Sequence, residues 1–139
     1  MSETYFTDRD LGKLFPSILQ QAGLRVERHR DHFRHDTPDE EWLSVVSEKG
    51  WIAITHDANI RRRPNQKAAV LDGGLGLIVV VGKLPFPELA EHFVNAIAAV
   101  ERFVQRHRRP WIARFYPPTP QEMATKLHPR GRIEMWIDK

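Results

Sequence analysis

The sequence predicts an α/β fold: a single three-layer domain in which helices cover both faces of a central, mostly parallel sheet of about five strands. Two observations favour this class. Short apolar runs suited to buried strands alternate with segments in which apolar residues recur every three or four positions, as they do on helices. In addition, 139 residues are enough for one ordinary domain and too few for two.

The first half of the chain is predicted to run strand, helix, strand, loop, helix, strand. The expected bounds are, in that order, 4–7, 11–22, 24–27, 29–37, 38–49 and 51–55. The second helix has the clearest start, because Thr37 would be its N-cap, Pro38 its first residue and Glu40 the partner in a capping box. Gly23 and Gly50 would end the two helices.

The second half is predicted to supply the longest helix and the remaining strands. The expected elements are a short helix at 64–71, a central strand at 75–81, a long helix at 85–109, a strand at 111–116 and a further strand candidate at 132–137. The proline-rich run 117–120 should break regular structure. We therefore expect residues 1–116 to form the domain and residues 117–139 to be a C-terminal extension of the same unit.

The composition limits where the protein is expected to act and which residue types could bind a metal. The chain is 41% hydrophobic and 28% charged, and no apolar run approaches the roughly 20 residues that span a bilayer, so we expect no membrane partner. The first residues carry no export signal, which favours a cytoplasmic location. The absence of cysteine excludes disulfides and thiolate metal sites, and leaves carboxylate, imidazole and water as ligands.

Three aspartates stand where an α/β sheet usually carries its chemistry. Asp8 and Asp57 directly follow predicted strands, and Asp39 lies at the start of the second helix. If the strands are parallel, these carboxylates meet at one edge of the sheet, and their repulsion favours a bound Mg²⁺ or Mn²⁺. Basic residues nearby indicate a substrate that contains phosphate. They are Arg9, Lys13, Arg61, Arg62 and Arg63.

Each aspartate also has a structural interpretation that needs no metal. Asp8 or Asp10 could cap the first helix, and Asp57 could cap a turn. Asp39 could simply complement the positive end of its helix. For any single residue this explanation is the stronger one, but two acids that directly follow strands favour the metal site when they are taken together.

Two phosphotransfer families share parts of this pattern. The Asp-x-Asp of residues 8–10 is similar to the motif of haloacid-dehalogenase phosphatases, although Leu11-Gly12 stands where that family has Gly-Thr. Receiver domains also place an aspartate after the third strand, as Asp57 is placed, and a lysine before proline, as at 83–85. The strand that ends at Val81 lacks the hydroxyl residue that a receiver needs.

Several histidines and one tryptophan are further candidates. His29, His32 and His35 are three residues apart in the polar loop, where solvated side chains are expected more often than a zinc site. His56 lies beside the third aspartate and could touch substrate phosphate. Among the tryptophans, Trp136 is the best candidate for stacking a base, since the others are expected to pack in the core.

Three blocks of sequence carry a family resemblance: FTDRDLGK at 6–13, DTPDEEWL at 36–43 and GWIAITHDANIRRRP at 50–64. In this order they are similar to the PIN-like domain family, and in particular to its branch of VapC-type toxins from bacterial toxin–antitoxin modules. The resemblance extends from the first predicted strand to the fifth. It implies a metal-dependent ribonuclease fold in which Asp8, Asp39 and Asp57 are the catalytic, metal-binding acids.

The resemblance also implies the remaining ligands and the partners. Asp10, Asp36 and Glu40 could supply a further ligand. For the family's usual fourth acid, the chain after Asp57 offers only Asp72, in a turn that resembles a helix C-cap, and the glutamates of the long helix. The implied activity is Mg²⁺- or Mn²⁺-dependent endoribonuclease cleavage of RNA, with the basic residues orienting the strand. The implied partners are a cognate antitoxin protein and a second copy in a homodimer. Two other hypotheses stay open: a non-catalytic nucleic-acid or partner-binding module, and phosphotransfer on Asp57.

Overall fold

The computed structural model describes residues 3–138, apart from the side chains of Arg61 and Asp138. Its strands are β1 (Thr4–Thr7), β2 (Arg25–Arg28), β3 (Ile52–Thr55), β4 (Gly76–Val80), β5 (Trp111–Tyr116) and β6 (Arg132–Asp138). They form one six-stranded sheet in the order β2-β1-β3-β4-β5-β6. All neighbours are parallel except β5 and β6, which are antiparallel. The predicted α/β class with a mostly parallel sheet is therefore confirmed.

Helices connect the strands in the manner expected of parallel neighbours. They are α1 (Leu14–Gln21), α2 (His29–His32), α3 (Asp39–Glu48), α4 (Pro64–Gly73), α5 (Phe86–Asn95), α6 (Ile97–Arg106) and α7 (Pro120–Thr125). Two short 3₁₀ turns, Arg9–Leu11 and Ala58–Arg62, follow β1 and β3. Both turns therefore lie at the carboxyl edge of the sheet.

The sheet separates two apolar cores, because successive side chains of a strand point to opposite faces. In β3, Ile52 and Ile54 pack into the core covered by α1, α5 and α6, whereas Ala53 packs into the core covered by α3 and α4. All four residues of β3 are buried, as expected for a strand in the interior of a parallel sheet. The three-layer prediction is confirmed by this arrangement.

The long helix predicted at 85–109 is two helices. α5 ends at Asn95 and α6 begins at Ile97, while Ala96 between them leaves helical geometry with φ −103° and ψ 12°. Arg130, from the tail, donates a hydrogen bond of 2.8 Å to the carbonyl of Asn95 and so satisfies the end of α5. A contact from the tail thus stabilises the break, and apolar periodicity alone cannot reveal it.

The predicted cap of α3 is also wrong. Pro38, with an extended backbone (φ −57°, ψ 143°), occupies the N-cap position in place of Thr37, and the helix begins at Asp39 without a side-chain cap. The carbonyl of Pro38 accepts hydrogen bonds from the backbone N–H groups of Glu41 and Trp42 at 3.0 and 3.3 Å. Asp39 is consequently the first residue of the helix.

Residues 117–138 contain more regular structure than the sequence predicts. Thr119 and Glu122 form a capping box, and α7 begins at Pro120, the last residue of the proline-rich run. The strand candidate becomes β6, which pairs along β5 from Tyr116 to Trp111 and covers its free edge. None of the helices in the described part of the chain is long and apolar enough to cross a membrane.

Candidate active site

Asp8 is fixed at the carboxyl edge of the sheet by three hydrogen bonds. Its backbone N–H donates to the carbonyl of Ile54 at 2.9 Å, which extends the pairing of β1 with β3 by one residue. Its carboxylate accepts from the N–H of Arg9 at 2.7 Å and from the hydroxyl of Thr55 at 2.8 Å. The side chain is therefore held at the carboxyl ends of the paired strands β1 and β3.

Asp10 is brought to the same point by the Arg9–Leu11 turn. One of its carboxylate oxygens accepts from the hydroxyl of Thr55 at 3.1 Å and from the backbone N–H of His56 at 3.0 Å. Thr55 has a single hydroxyl proton, so it cannot donate fully to Asp8 and Asp10 at the same time. The two carboxylates are thus held around one hydroxyl group.

Burial makes the charged forms of both carboxylates costly. Burial, and then the charge of Asp10, raises the pKa of Asp8 to about 7. Burial around its carboxyl group also raises the pKa of Asp10, although the residue as a whole is exposed, and the hydrogen bonds from His56 and Thr55 oppose the rise. Such a pair is stabilised by a nearby cation.

The other two candidate acids contact different partners. Asp39 accepts a hydrogen bond of 2.9 Å from the indole N–H of Trp42, one turn further along α3. Asp57 accepts from the backbone N–H of Asn59 at 3.0 Å and forms an ion pair with Arg63. Asp57 therefore caps the Ala58–Arg62 turn, as its structural interpretation predicted.

All four aspartates nevertheless line one cavity of about 260 Å³ at the carboxyl edge of the sheet. Arg9 lies on the same wall and donates to the backbone carbonyl of His35. The full lining is Asp8, Arg9, Asp10, His29, His35, Thr37, Asp39 and Asp57. The structure thus brings together the acids that the sequence proposed from three separate segments.

His29 does not behave as the solvated loop residue that the sequence predicts. It opens the short helix α2, is only 3% exposed, and packs against the rings of Phe6, Phe33 and Trp42. Its Nδ1 atom is buried without a hydrogen-bond partner among the described residues. Burial, reinforced by the charge of Arg9, lowers its pKa, so the imidazole is neutral near pH 7.

The three loop histidines do not form a zinc site. His32 contacts Glu27 at 2.7 Å, while His29 is enclosed by aromatic rings. His56 is likewise engaged, because its Nε2 atom donates a hydrogen bond of 2.8 Å to the carbonyl of Gly82. The side chain of His56 is therefore anchored to the loop after β4, and its backbone N–H donates to the carboxylate of Asp10.

Several predicted residues lie away from the cavity lining. Asp36 is exposed and pairs with Arg34 at 3.3 Å, Glu40 is exposed on the first turn of α3, and Lys13 is exposed before α1. Among the basic run, Arg63 holds Asp57 and Arg62 is exposed on the turn. The remaining member of that run, predicted at position 61, has a side chain outside the described part of the structure.

Thr55 is the functional candidate that the sequence analysis did not single out. It is fully buried at the end of β3, and besides holding the two acids its hydroxyl accepts the backbone N–H of Asp57 at 3.2 Å. A threonine two residues before a strand-end aspartate was the available signal. Its position allows one hydroxyl to connect the acids of β1 with the acid of β3.

The donor set fits a hard divalent cation held by two carboxylates. Mg²⁺ is commonly bound through one or two carboxylates, with water and phosphate completing the coordination. The raised pKa values of Asp8 and Asp10 indicate the charge that such a cation would balance. Within residues 3–138, no three His, Asp or Glu side chains are grouped to hold one ion, and Asp57 is instead engaged by Arg63.

The structure defines an α/β protein with an acidic cavity at the carboxyl edge of a mostly parallel sheet. Sequence comparison identifies its family. A family model described as "PIN like domain" matches residues 4–82, a span that contains β1 to β4 and all four aspartates of the cavity. The chain belongs to the PIN-like domain family, as its sequence blocks predicted.

The chain is also similar to one individual protein of known name. The chain is 32% identical over 118 residues, 81% of this chain and 85% of the relative, to a protein named "Putative ribonuclease VapC45" from Mycobacterium tuberculosis (strain ATCC 25618 / H37Rv). No solved structure matches the chain significantly.

Proposed function

We propose that this protein is a Mg²⁺- or Mn²⁺-dependent endoribonuclease. The observation that carries the proposal is the pair Asp8 and Asp10, held around the hydroxyl of Thr55 in a cavity that also contains Arg9. Family membership and a relative named as a ribonuclease support RNA as the substrate.

Asp8 and Asp10 would hold the cation, with Asp39 and Asp57 on the surrounding wall. When bound, the cation would supply Lewis-acid stabilisation of the phosphodiester and activation of water for its hydrolysis. The protein itself orients the carboxylates, because Thr55 and the N–H of His56 fix where their oxygens point. Arg9 places a positive charge on the same wall, where a phosphate oxygen can bind.

The ion pair between Arg63 and Asp57 adds a substrate-dependent element. A guanidinium binds phosphate and carboxylate with the same donors, so an RNA phosphate would compete with Asp57 for Arg63. Release of Asp57 would add a third carboxylate to the acid pair when RNA is present. Arg62, exposed on the preceding turn, would contact a phosphate of the RNA further from the acids. The same role stays a prediction for Arg61 and Lys13.

The test is cleavage of mixed cellular RNA by the purified protein in Mg²⁺, in Mn²⁺ and in EDTA. We expect metal-dependent cutting that falls at least about 100-fold in Asp10→Asn. Asp31→Asn is the matched control, since Asp31 is an exposed aspartate at the surface of α2. Undiminished cutting in EDTA, or by the Asp10→Asn protein, would refute the proposal.

A non-catalytic RNA-binding or partner-binding module is the second candidate. It is favoured by the lack of a grouped three-acid site in the described residues and by the neutralisation of Asp57. Such a module would bind RNA equally well after Asp8→Asn and would show no thermal shift with Mg²⁺. Phosphotransfer on Asp57 is less favoured, because both oxygens of its carboxylate already accept hydrogen bonds.

We extend the proposal to a toxin of a toxin–antitoxin module in the cytoplasm, acting as a homodimer and inhibited by a cognate antitoxin protein. The resemblance of the acid-bearing blocks to VapC-type toxins supports it. Induced expression should arrest bacterial growth, and the product of an adjacent gene should restore it and co-purify with the chain. Normal growth during induction of a protein that cleaves RNA in vitro would reject the toxin role, and light scattering would test the dimer.

A further inference from the structure

A second cleft, of about 210 Å³, opens at the same edge of the sheet beyond the acid cavity. It lies between the Ala58–Arg62 turn and the last two strands. Its lining is Ala58, Asn59, Arg62, Val81, Arg114 and Trp136. Two of these side chains are cationic, one is aromatic and none is acidic, which is a composition suited to a nucleotide.

Arg114 and Trp136 form a flat platform in this cleft. The guanidinium carbon of Arg114 lies 3.6 Å from the centroid of the Trp136 ring, close enough for direct stacking. Tyr116 accepts a hydrogen bond of 3.0 Å from Arg114, which fixes the plane of the guanidinium. The Nε atom of Arg114 is buried and has no hydrogen-bond partner among the described residues. The platform is thus held in place by contacts within the protein.

The cleft is adjacent to the acid cavity. Asn59, which lines the cleft, donates its backbone N–H to the carboxylate of Asp57, which lines the cavity. Adjacent strands are about 4.8 Å apart, so β5, which carries Arg114, lies roughly 10 Å from β3. An RNA strand whose phosphate sits at the acids can therefore reach the platform along the Ala58–Arg62 turn.

We propose that this cleft binds a nucleotide of single-stranded RNA next to the cleavage site. This inference rests on the proposed function for the choice of RNA as ligand. Arg62, exposed at the rim, contacts a phosphate, and the platform of Arg114 and Trp136 stacks one base. The volume is below the roughly 300–1,000 Å³ of pockets for drug-sized ligands, in keeping with one base. The platform lies outside residues 4–82, which the family model matches.

The test measures binding of a short labelled single-stranded RNA in EDTA, where the proposed cleavage does not occur. We expect Trp136→Leu to weaken binding about 5- to 100-fold, and Trp136→Phe, which retains a stacking surface, to bind within about 3-fold of the unmodified protein. Arg62→Gln should weaken binding and lower the slope of log affinity against log salt by about 1. Arg102→Gln, at an exposed position on α6, is the control for loss of one positive charge.

The same variants separate this inference from the proposed function. Trp136→Leu should raise KM for RNA and leave kcat unchanged, because the platform binds the substrate and does not touch the reacting phosphate. Unaltered RNA binding by both Arg62→Gln and Trp136→Leu would overturn the inference, even if metal-dependent cleavage is observed. Trp136-dependent binding without any metal-dependent cleavage would support the cleft and reject the ribonuclease.

Discussion

Replacing Asp8 by asparagine should stabilise the metal-free protein while abolishing its proposed activity. The pKa of Asp8 in the folded protein is raised from 3.8 to about 7, so the folded state binds more protons than the unfolded state between these values. Stability must therefore fall as pH rises through that window. The full rise corresponds to about 4 kcal/mol above pH 7, and partial exposure and relaxation reduce the expected gain for Asp8→Asn to about 1–3 kcal/mol.

The assay is urea unfolding in EDTA at pH 5, 6, 7 and 8, beside Asp31→Asn as an exposed control. Asp8→Asn should gain most at pH 8 and least at pH 5, whereas Asp31→Asn should stay within about 0.5 kcal/mol throughout. With Mg²⁺ added at about 100 times its dissociation constant, the unmodified protein should gain about 2.7 kcal/mol and Asp8→Asn little. A variant that is less stable at pH 8 in EDTA, or a gain that does not depend on pH, would refute the argument.

Three further substitutions test individual contacts. Thr55→Val keeps the shape of the side chain but removes the hydroxyl that Asp8 and Asp10 share, so kcat/KM for RNA should fall about 10-fold or more. Circular dichroism should stay near that of the unmodified protein, and unchanged kinetics would contradict the positioning role of Thr55. Arg63→Gln should lower RNA cleavage about 10-fold but change the free energy of unfolding by less than about 1 kcal/mol, because the ion pair with Asp57 is partly exposed. A large loss of stability would show that the ion pair is structural. The unmodified protein should lose stability as pH falls below 6.5, because the depressed pKa keeps the folded imidazole of His29 neutral while the unfolded one takes up a proton, and His29→Leu should remove this loss. The same decrease in the free energy of unfolding below pH 6.5 in both proteins would exclude this assignment.

The fold was predictable because its signals are local and repeated. Strands β1, β3, β4 and β5 are apolar runs whose observed bounds differ little from those expected. Asp8 and Asp57 could be placed together because both follow parallel strands, and the sheet order puts β1 beside β3. Their proposed role in binding a cation stays a prediction, to be tested by the measurements above.

What the sequence could not supply depends on contacts between distant segments. The sharing of Thr55 by Asp8 and Asp10 requires the register of β1 against β3, which no local pattern encodes. His29 looks like a polar loop residue, and only the aromatic rings around it show that it is buried. The engagement of Asp57 by Arg63 likewise depends on the path of a 3₁₀ turn.

The antiparallel strand β6 has a consequence for how the protein can be handled. Without residues 117–138, β5 would present a row of unpaired backbone donors and acceptors, flanked by the buried side chains of Ile112 and Phe115. Such an edge is a template for strand addition by other molecules. A fragment cut to the part that the family model recognises, with or without β5, should therefore precipitate or form intermolecular sheets, and studies of catalysis require the chain that includes β6.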